Sequence, residues 1–458
     1  MARTTKLNVL VFGDGSAGEL GLGPKNATDV KRPRLNTNLD ADSIGVVALA
    51  AGGMHAAALT HDGKIFTWGV NDHRALGRDT DWDGDMKDVD VAEDASDTSE
   101  PGLNPQESIP TAIPADKFPT GTRIVQITAA NSATFALTDD GQVYGWGTFR
   151  VSLYHQQYPN RPLRASQDSN GVFGFSLTSN NEIIEIQREP VPIPALKNIT
   201  MISAGSDYVL ALDAEGTIFA WGDGEQNQLG HRITPRRRNN SLTPTLSGLP
   251  KKKFVSIHAA SNHGFAIDRY GDTWAWGLNN FGQTGISTGA GKGGATINPP
   301  RKVPSLVGKR MKMVQGGSHH SIGITQDGEC LVWGRIDSAQ LGMDTANLPL
   351  DDAKKVIVVN GRPRVLLEPT PLPITGVVYA AAGSDHNIVI TAEGKAYSWG
   401  FNVNYQCGQG TSDDVIEVKL IDNTASRGMK FTWAGAGGQY SILAAPCAAN
   451  EDVDMADA

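Results

Sequence analysis

Three short strings in this chain have residue types and spacings that elsewhere hold phosphate or metal. Gly13–Gly18 reads GDGSAG and satisfies the Gly-x-Gly-x-x-Gly pattern of a dinucleotide fold, where backbone amides at a helix N-terminus cradle pyrophosphate. ELGLGPKN follows it without helical periodicity, and cognate strings recur along the chain, so tight-turn chemistry accounts for the glycines. DTDWDGDMKDVD, at Asp79–Asp90, opens like a calcium loop, but Lys87 stands at a ligand position and Asp90 where a bidentate Glu belongs. TGAGKGG around Lys292 lacks both the spacing of a phosphate loop and a hydroxyl residue after the lysine. No cofactor and no metal is expected.

Histidine is the next candidate for chemistry, and here it comes at a fixed place. His55, His263, His320 and His386 each precede a glycine by eight residues, with Tyr208 and Tyr440 at the equivalent positions. A residue type that keeps its register through a repeat serves the fold, so each histidine is expected to bond within its own unit. The register one residue earlier reads Met54, Ser132, Asp207, Asn262, His319, Asp385 and Gln439, and its chemistry changes from unit to unit. Those residues enter strands from loops, so they are expected to line one face, either as a binding surface or as solvated loop.

The elements that carry these positions follow from the punctuation. Trp-Gly recurs at Trp68, Trp146, Trp221, Trp276, Trp333 and Trp399, with Phe12-Gly13 as a seventh copy. Five residues before each tryptophan stands Gly63, Gly141, Gly216, Gly271, Gly328 or Gly394, a hairpin-turn signal. Gly21, Gly77, Gly230, Gly285, Gly342 and Gly408 close a second tight turn beyond the Trp-Gly pair. Segments between them, such as VALAAGGMHAAALT and KIFTWG, read as short strands. Such periods mean a propeller or a solenoid, and polar loops lengthen the units. Lys6–Gly23 holds the second half of a unit and Met429–Pro446 the first half, so the ends together make one blade and close a ring without free sheet edges. The expected fold is all-β: one seven-bladed β-propeller over residues 1–446, with an acidic loop insertion at 79–110 and an acidic flexible tail at 447–458.

Composition limits the partners. Asp plus Glu number 49 against 40 Lys plus Arg, so any DNA contact must be local rather than a wholesale basic coat. Cys330, Cys407 and Cys447 form no Cys-x-x-Cys pair and are odd in number, which points to a reducing compartment. No apolar run reaches the length of a membrane span, and no membrane partner is expected.

These AAGxxH, DGxxxxWG and GQLG-like units resemble the regulator of chromosome condensation family over nearly the whole chain. GGMH at Gly52–His55, NDHRALGRD at Asn71–Asp79, GTFR at Gly147–Arg150 and GGSHH at Gly316–His320 resemble its founding member, a nuclear exchange factor for the GTPase Ran. The resemblance implies non-covalent catalysis of guanine nucleotide exchange on Ran, association with nucleosomes and their histones, and a nuclear, chromatin-bound location. It implies that exchange-critical residues fall at Asp207 and His319, and that a family aspartate is replaced here by Asn131. It also implies a β-wedge that presses on the GTPase phosphate-binding loop, matched by Phe149 and Arg150 and resumed at Asp168, Ser169, Asn170 and Gly171. The family loop that reaches the nucleosome acidic patch corresponds to HRITPRRRNNS, placing Arg236, Arg237 and Arg238 there. A basic segment often precedes the first blade in the family; here the first strand is expected almost at residue 1, which leaves DNA binding without that tail. The alternatives are a structural chromatin adaptor or a superfamily member acting on another small GTPase.

Residues 151–167, VSLYHQQYPNRPLRASQ, interrupt the wedge. Removing them joins GTFR to DSNGVFGF and restores the family loop. An initial Val-Ser can be encoded by GTAAGT and a final Gln by CAG, the ends of a retained in-frame intron. The segment is therefore expected to be spurious, against the alternative of a real insertion.

Overall fold

In the computed structural model, the residues described are 4–83, 102–150, 171–172, 184, 186–233 and 241–447. Their strands form seven antiparallel sheets arranged as blades, plus the two-stranded ribbon Phe149–Arg150 with Gly171–Val172. The acidic stretch 84–101, wedge residues Asp168, Ser169 and Asn170, the whole of 151–167, Arg236, Arg237, Arg238 and the tail from 448 lie outside the described residues.

Each blade repeats one design. In the Trp68 blade, Val46–Ala51 is innermost, His55–Thr60 follows, Ile65–Gly69 carries the tryptophan, and Thr111–Ala112 is outermost. The seventh blade is made from both ends of the chain, in the order Val30–Leu35, Leu7–Gly13, Tyr440–Pro446 and Trp433–Ala436. Leu7 pairs with Pro446 and the register runs unbroken to Gly13 opposite Tyr440, as the split repeat requires. The innermost strands enclose a central channel of about 400 Å³.

The core lies between the blades rather than at the centre of the ring. One apolar layer joins the Trp68 blade to its successor through Val47, Leu59, Ile127 and Trp146; another joins the next pair through Phe135, Leu137, Ile202 and Trp221. All six tryptophans of the Trp-Gly pairs are fully buried in such layers. Five donate their indole N–H to the preceding blade: Trp68 to the Glu19 carbonyl at 2.9 Å, and Trp276 to the Gln228 carbonyl at 2.7 Å, for example. The second-turn glycines explain themselves at this seam. Gly77 has φ 66°, and a Cβ there would stand 2.7 Å from the Trp146 indole.

The fixed histidines also stitch this seam, which corrects the expectation of bonds within one blade. His55 Nε2 lies 2.8 Å from Thr134 Oγ1, His263 Nε2 2.8 Å from Ser321 Oγ, His320 Nε2 2.7 Å from Asn387 Oδ1, and His386 Nε2 2.9 Å from Ser441 Oγ. Every partner belongs to the following blade. Tyr440 does the same across the closing seam, its hydroxyl donating to the His55 carbonyl at 2.6 Å. The reason is geometric: in adjacent twisted sheets the nearest acceptor for a buried ring is across the layer, because its own strand's groups are already paired.

Candidate functional site

The variable register is built on a constant backbone contact. The residue after each Trp-Gly or Phe-Gly glycine donates its amide to the carbonyl of the register residue: Val70 to Met54, Thr148 to Ser132, Asp223 to Asp207, Leu278 to Asn262, Arg335 to His319, Phe401 to Asp385 and Asp14 to Gln439, all at 2.8–3.0 Å. That close approach is why the preceding residue is glycine. At Gly222, with φ 115°, a Cβ would lie 2.4 Å from the Asp207 carbonyl oxygen. The carbonyl carries the scaffold, so the side chain is left free to differ.

A second belt of backbone bonds sets the spacing around the channel mouth. The Asn131 amide donates to the Ser206 carbonyl at 2.9 Å, Ser206 to Ser261 at 3.1 Å, Ser318 to Ser384 at 3.0 Å and Gly438 to Gly53 at 2.9 Å. Asn131 is thereby held one residue from Asp207. On the other side it joins Met54, Ser132, Asp385 and Gln439 around a depression of about 540 Å³, which Asp72 and His73 also line. Met54 is 49% exposed and Asn131 is exposed, whereas Asp207 and His319 are half-buried.

His319 sits in a charged nest. Its ring meets the edge of Phe281 at 5.0 Å, and the Arg335 guanidinium lies 5.2 Å from the Phe281 ring. Arg335 is paired with Asp337, whose other oxygen takes Arg364 at 3.3 Å. Burial, and then the Arg335 charge, hold the His319 pKa below its ordinary value against the pull of Asp385 and Asp337. The ring is therefore neutral at physiological pH, and its buried Nδ1 has no hydrogen-bond partner among the described residues. Beside Asp207, burial pushes the Asp223 carboxyl up to about 6, so this part of the face carries a second, easily protonated acid.

Three of the residues expected in the wedge, Phe149, Arg150 and Gly171, fall in one ribbon. Phe149↔Val172 and Arg150↔Gly171 pair as a ribbon springing from the same face, immediately after the Thr148 amide bonds Ser132. Phe149, however, is fully buried and stacks on Phe135 at 5.9 Å. In this structure its side chain faces the blade rather than the open surface: an aromatic at the root of a ribbon gains more from the apolar layer than from water. Asp385 belongs to the register named from sequence, whereas Arg335, Asp337 and Phe281 were not singled out there. Arg335 could have been, since positions just after Trp-Gly vary among the copies as the register itself does.

Burial holds the ring's inner titratable groups in their neutral forms. His263 and His386 are pushed down to about 3, and His55 to about 4, by complete burial. Burial pushes the Cys330 thiol up to about 12. The calcium-like string begins with Asp79 and Asp81 facing Arg74 at 3.5 and 3.6 Å, and no cluster of three or more metal-ligating side chains occurs among the described residues. Nor is any described helix long and apolar enough to cross a membrane.

Comparison with known proteins gives the same outline. A family model described as RCC1-like domain matches residues 8–443. Protein pim1 of Schizosaccharomyces pombe is 39% identical over 98% of this chain and 77% of its own length. Guanine nucleotide exchange factor SRM1 of Saccharomyces cerevisiae is 37% identical over 98% of this chain and 89% of its own length. The solved structure of Prp20p from Saccharomyces cerevisiae, described with its binding to Gsp1p and histones, aligns with TM-score 0.83 and 34% identity, covering 98% of this chain and 93% of that one. Repeat, ring and relatives agree, and the chain belongs to the RCC1-like domain family.

Proposed function

We propose that this chain is a guanine nucleotide exchange factor for a Ran-type small GTPase, acting without covalent chemistry from the face that carries the variable register. The observation that carries the reading is the division of labour at that register: seven carbonyls held alike, side chains of six kinds upon them, and a ribbon rising beside them. An exchange factor works by competition. A GTPase with nanomolar affinity holds its nucleotide by about 12 kcal/mol, and loosening it 10⁵-fold takes about 7 kcal/mol of competing contacts. A broad, rigid face can supply that much. By linkage the nucleotide weakens the exchange factor's grip by the same factor, so nucleotide re-entry releases the protein.

In this mechanism Asp207, Asn131 and neutral His319 contact the GTPase, while the ribbon begun by Arg150 and Gly171, with Asp168, Ser169 and Asn170 between them, presses on the phosphate-binding loop. Phe149 anchors it from below. Arg236, Arg237 and Arg238 bind an acidic histone surface through bidentate pairing with carboxylates, and the protein acts in the nucleus on chromatin. The test is release of a fluorescent guanine nucleotide from Ran by the purified chain. Acceleration that falls with His319→Ala and Asp207→Ala supports the reading; no acceleration leaves a structural adaptor.

A further inference from the structure

Among the described residues, the Trp333 blade has a strand that the other blades lack. Val356–Val359 pairs with Arg362–Pro371, making a fifth strand where the other sheets have four. The hairpin turns at Asn360 and Gly361, both at positive φ (52° and 73°), the geometry that suits the twist of paired strands.

Register tells where the hairpin stands. Val365 lies opposite Arg335 and Leu366 opposite Gly334, where strand Cys330–Arg335 ends at the register face. From Val365 the chain still has to reach Asn360, which at about 3.3 Å per residue carries the tip roughly 15 Å past the end of the blade. Packing supports it sideways. Val365 and Leu367 close over Gly282 of the neighbouring blade, and Ile357 over Gly291, where an added Cβ would stand 2.9 Å from its Cδ1. At its foot Arg364 holds the Asp337 carboxylate that also binds Arg335, beside His319.

The hairpin and the residues leading into it carry Lys354, Lys355, Arg362 and Arg364 against Asp351 and Asp352, a net basic stretch in an acidic chain. Lys354, Lys355 and Arg362 are exposed, and no carboxylate partners them among the described residues. Val358 and Val359 are 40% and 48% exposed, and no described strand lies along the far edge of Val356–Val359. An unpaired edge is a template for another strand, and cations beside it select an acidic one.

We propose that the hairpin Val356–Leu367 is a docking arm of the register face, which captures an acidic, extended segment at the edge of the GTPase as an added strand. This rests on the reading of that face as the GTPase surface. Rim charges act mainly on association, so the arm sets encounter and not displacement.

The experiment measures nucleotide release against Ran concentration with the full chain carrying Lys354→Glu, Lys355→Glu and Arg362→Glu. A second variant, Val358→Pro, disturbs the edge without adding charge. A third, Lys251→Glu with Lys253→Glu, makes a similar charge change at the opposite end of a blade. The expected result is a KM raised about tenfold at low salt with kcat unchanged and a flatter salt dependence for the triple variant. Val358→Pro should raise KM in the same direction, and the Lys251 and Lys253 variant should leave it unchanged, all three melting as the parent does. A wild-type KM for the triple variant, while His319→Ala is slow, overturns the arm and leaves the face standing. If His319→Ala is also unaffected, the face itself is wrong. A loss confined to kcat, or a dimer that the triple variant converts to monomer, likewise overturns the proposal.

Discussion

Glu19 occupies the place that Gln228, Gln283, Gln340 and Gln406 hold in other blades. Its carboxylate accepts the Ala17 amide at 2.9 Å just as the Gln228 side chain accepts the Gln226 amide at 2.8 Å, but it has no N–H to donate, as Gln340 donates to Asp385. Burial, helped by Asp14 and Asp29, pushes its pKa up to about 7 from 4.5. A carboxyl raised in the folded state favours folding at low pH, and that contribution is lost as pH rises from 4.5 to about 7. Glu19→Gln should therefore stabilise the chain by roughly 1–3 kcal/mol at pH 8 and by almost nothing at pH 4, read as the shift in Tm at the two pH values. The buried histidines have the opposite sign. His263 and His386 fall to about 3 from 6.5, so the unfolded chain binds more protons below pH 6.5 and stability drops as pH falls through that value. His386→Ala should lower Tm at pH 7, through loss of its bond to Ser441, and make the acid side of the profile less steep. His319→Ala and Asp207→Ala should instead leave Tm within a degree or two and cost about 2 kcal/mol or more in exchange, a thirtyfold loss in kcat/KM. Equal exchange by both variants would move the GTPase to another surface.

At the scale of elements, the ribbon stem bears on residues 151–167. Arg150 opposes Gly171, so removal of the segment would leave Asp168, Ser169 and Asn170 to join the two strands, a three-residue hairpin connection of common length. Transcripts sequenced across the junction should lack the segment, and the shortened protein should exchange at least tenfold faster than the chain as written. Uniform retention, or tryptic peptides from within 151–167, would count against it. The strands themselves were legible because each lies between glycines whose positive φ no other residue adopts cheaply, Gly63 and Gly77 among them. What pairs with what across a seam was not: His55 and Thr134 stand far apart in sequence, and nothing local in either string names the other. The Val356–Leu367 hairpin carries a readable Asn-Gly turn but lies outside the repeat, where comparison between copies gives no guidance. The register was legible as a face, whereas the burial of Phe149 was not, since its role depends on Phe135 in the second strand of its own blade.

At the scale of the whole molecule, the ring has two ends available to two partners, and the arginine loop offers a way to separate them. Arg236→Ala, Arg237→Ala and Arg238→Ala together should weaken nucleosome pull-down at least fivefold and leave exchange on Ran unchanged. Undiminished nucleosome binding would refute the assignment, and slowed exchange would mean that the two surfaces overlap. Because the closing blade is assembled from Leu7–Gly13 and Tyr440–Pro446, that blade, and with it the ring, cannot be completed until the chain is nearly finished, whereas the other six blades are each built from neighbouring strands. The carbonyl contacts at the register have a consequence for how such a face can change over time. Since the backbone oxygen takes the same amide whatever side chain is attached, an exposed place such as Met54 can mutate with little penalty in stability, whereas buried Ser132 and Asp385, which accepts from Gln340, are less free. Replacements on blades that do not touch should then contribute independently, their effects on partner affinity adding in free energy. Recognition on this ring could thus be retuned one position at a time, with no need for paired, compensating substitutions.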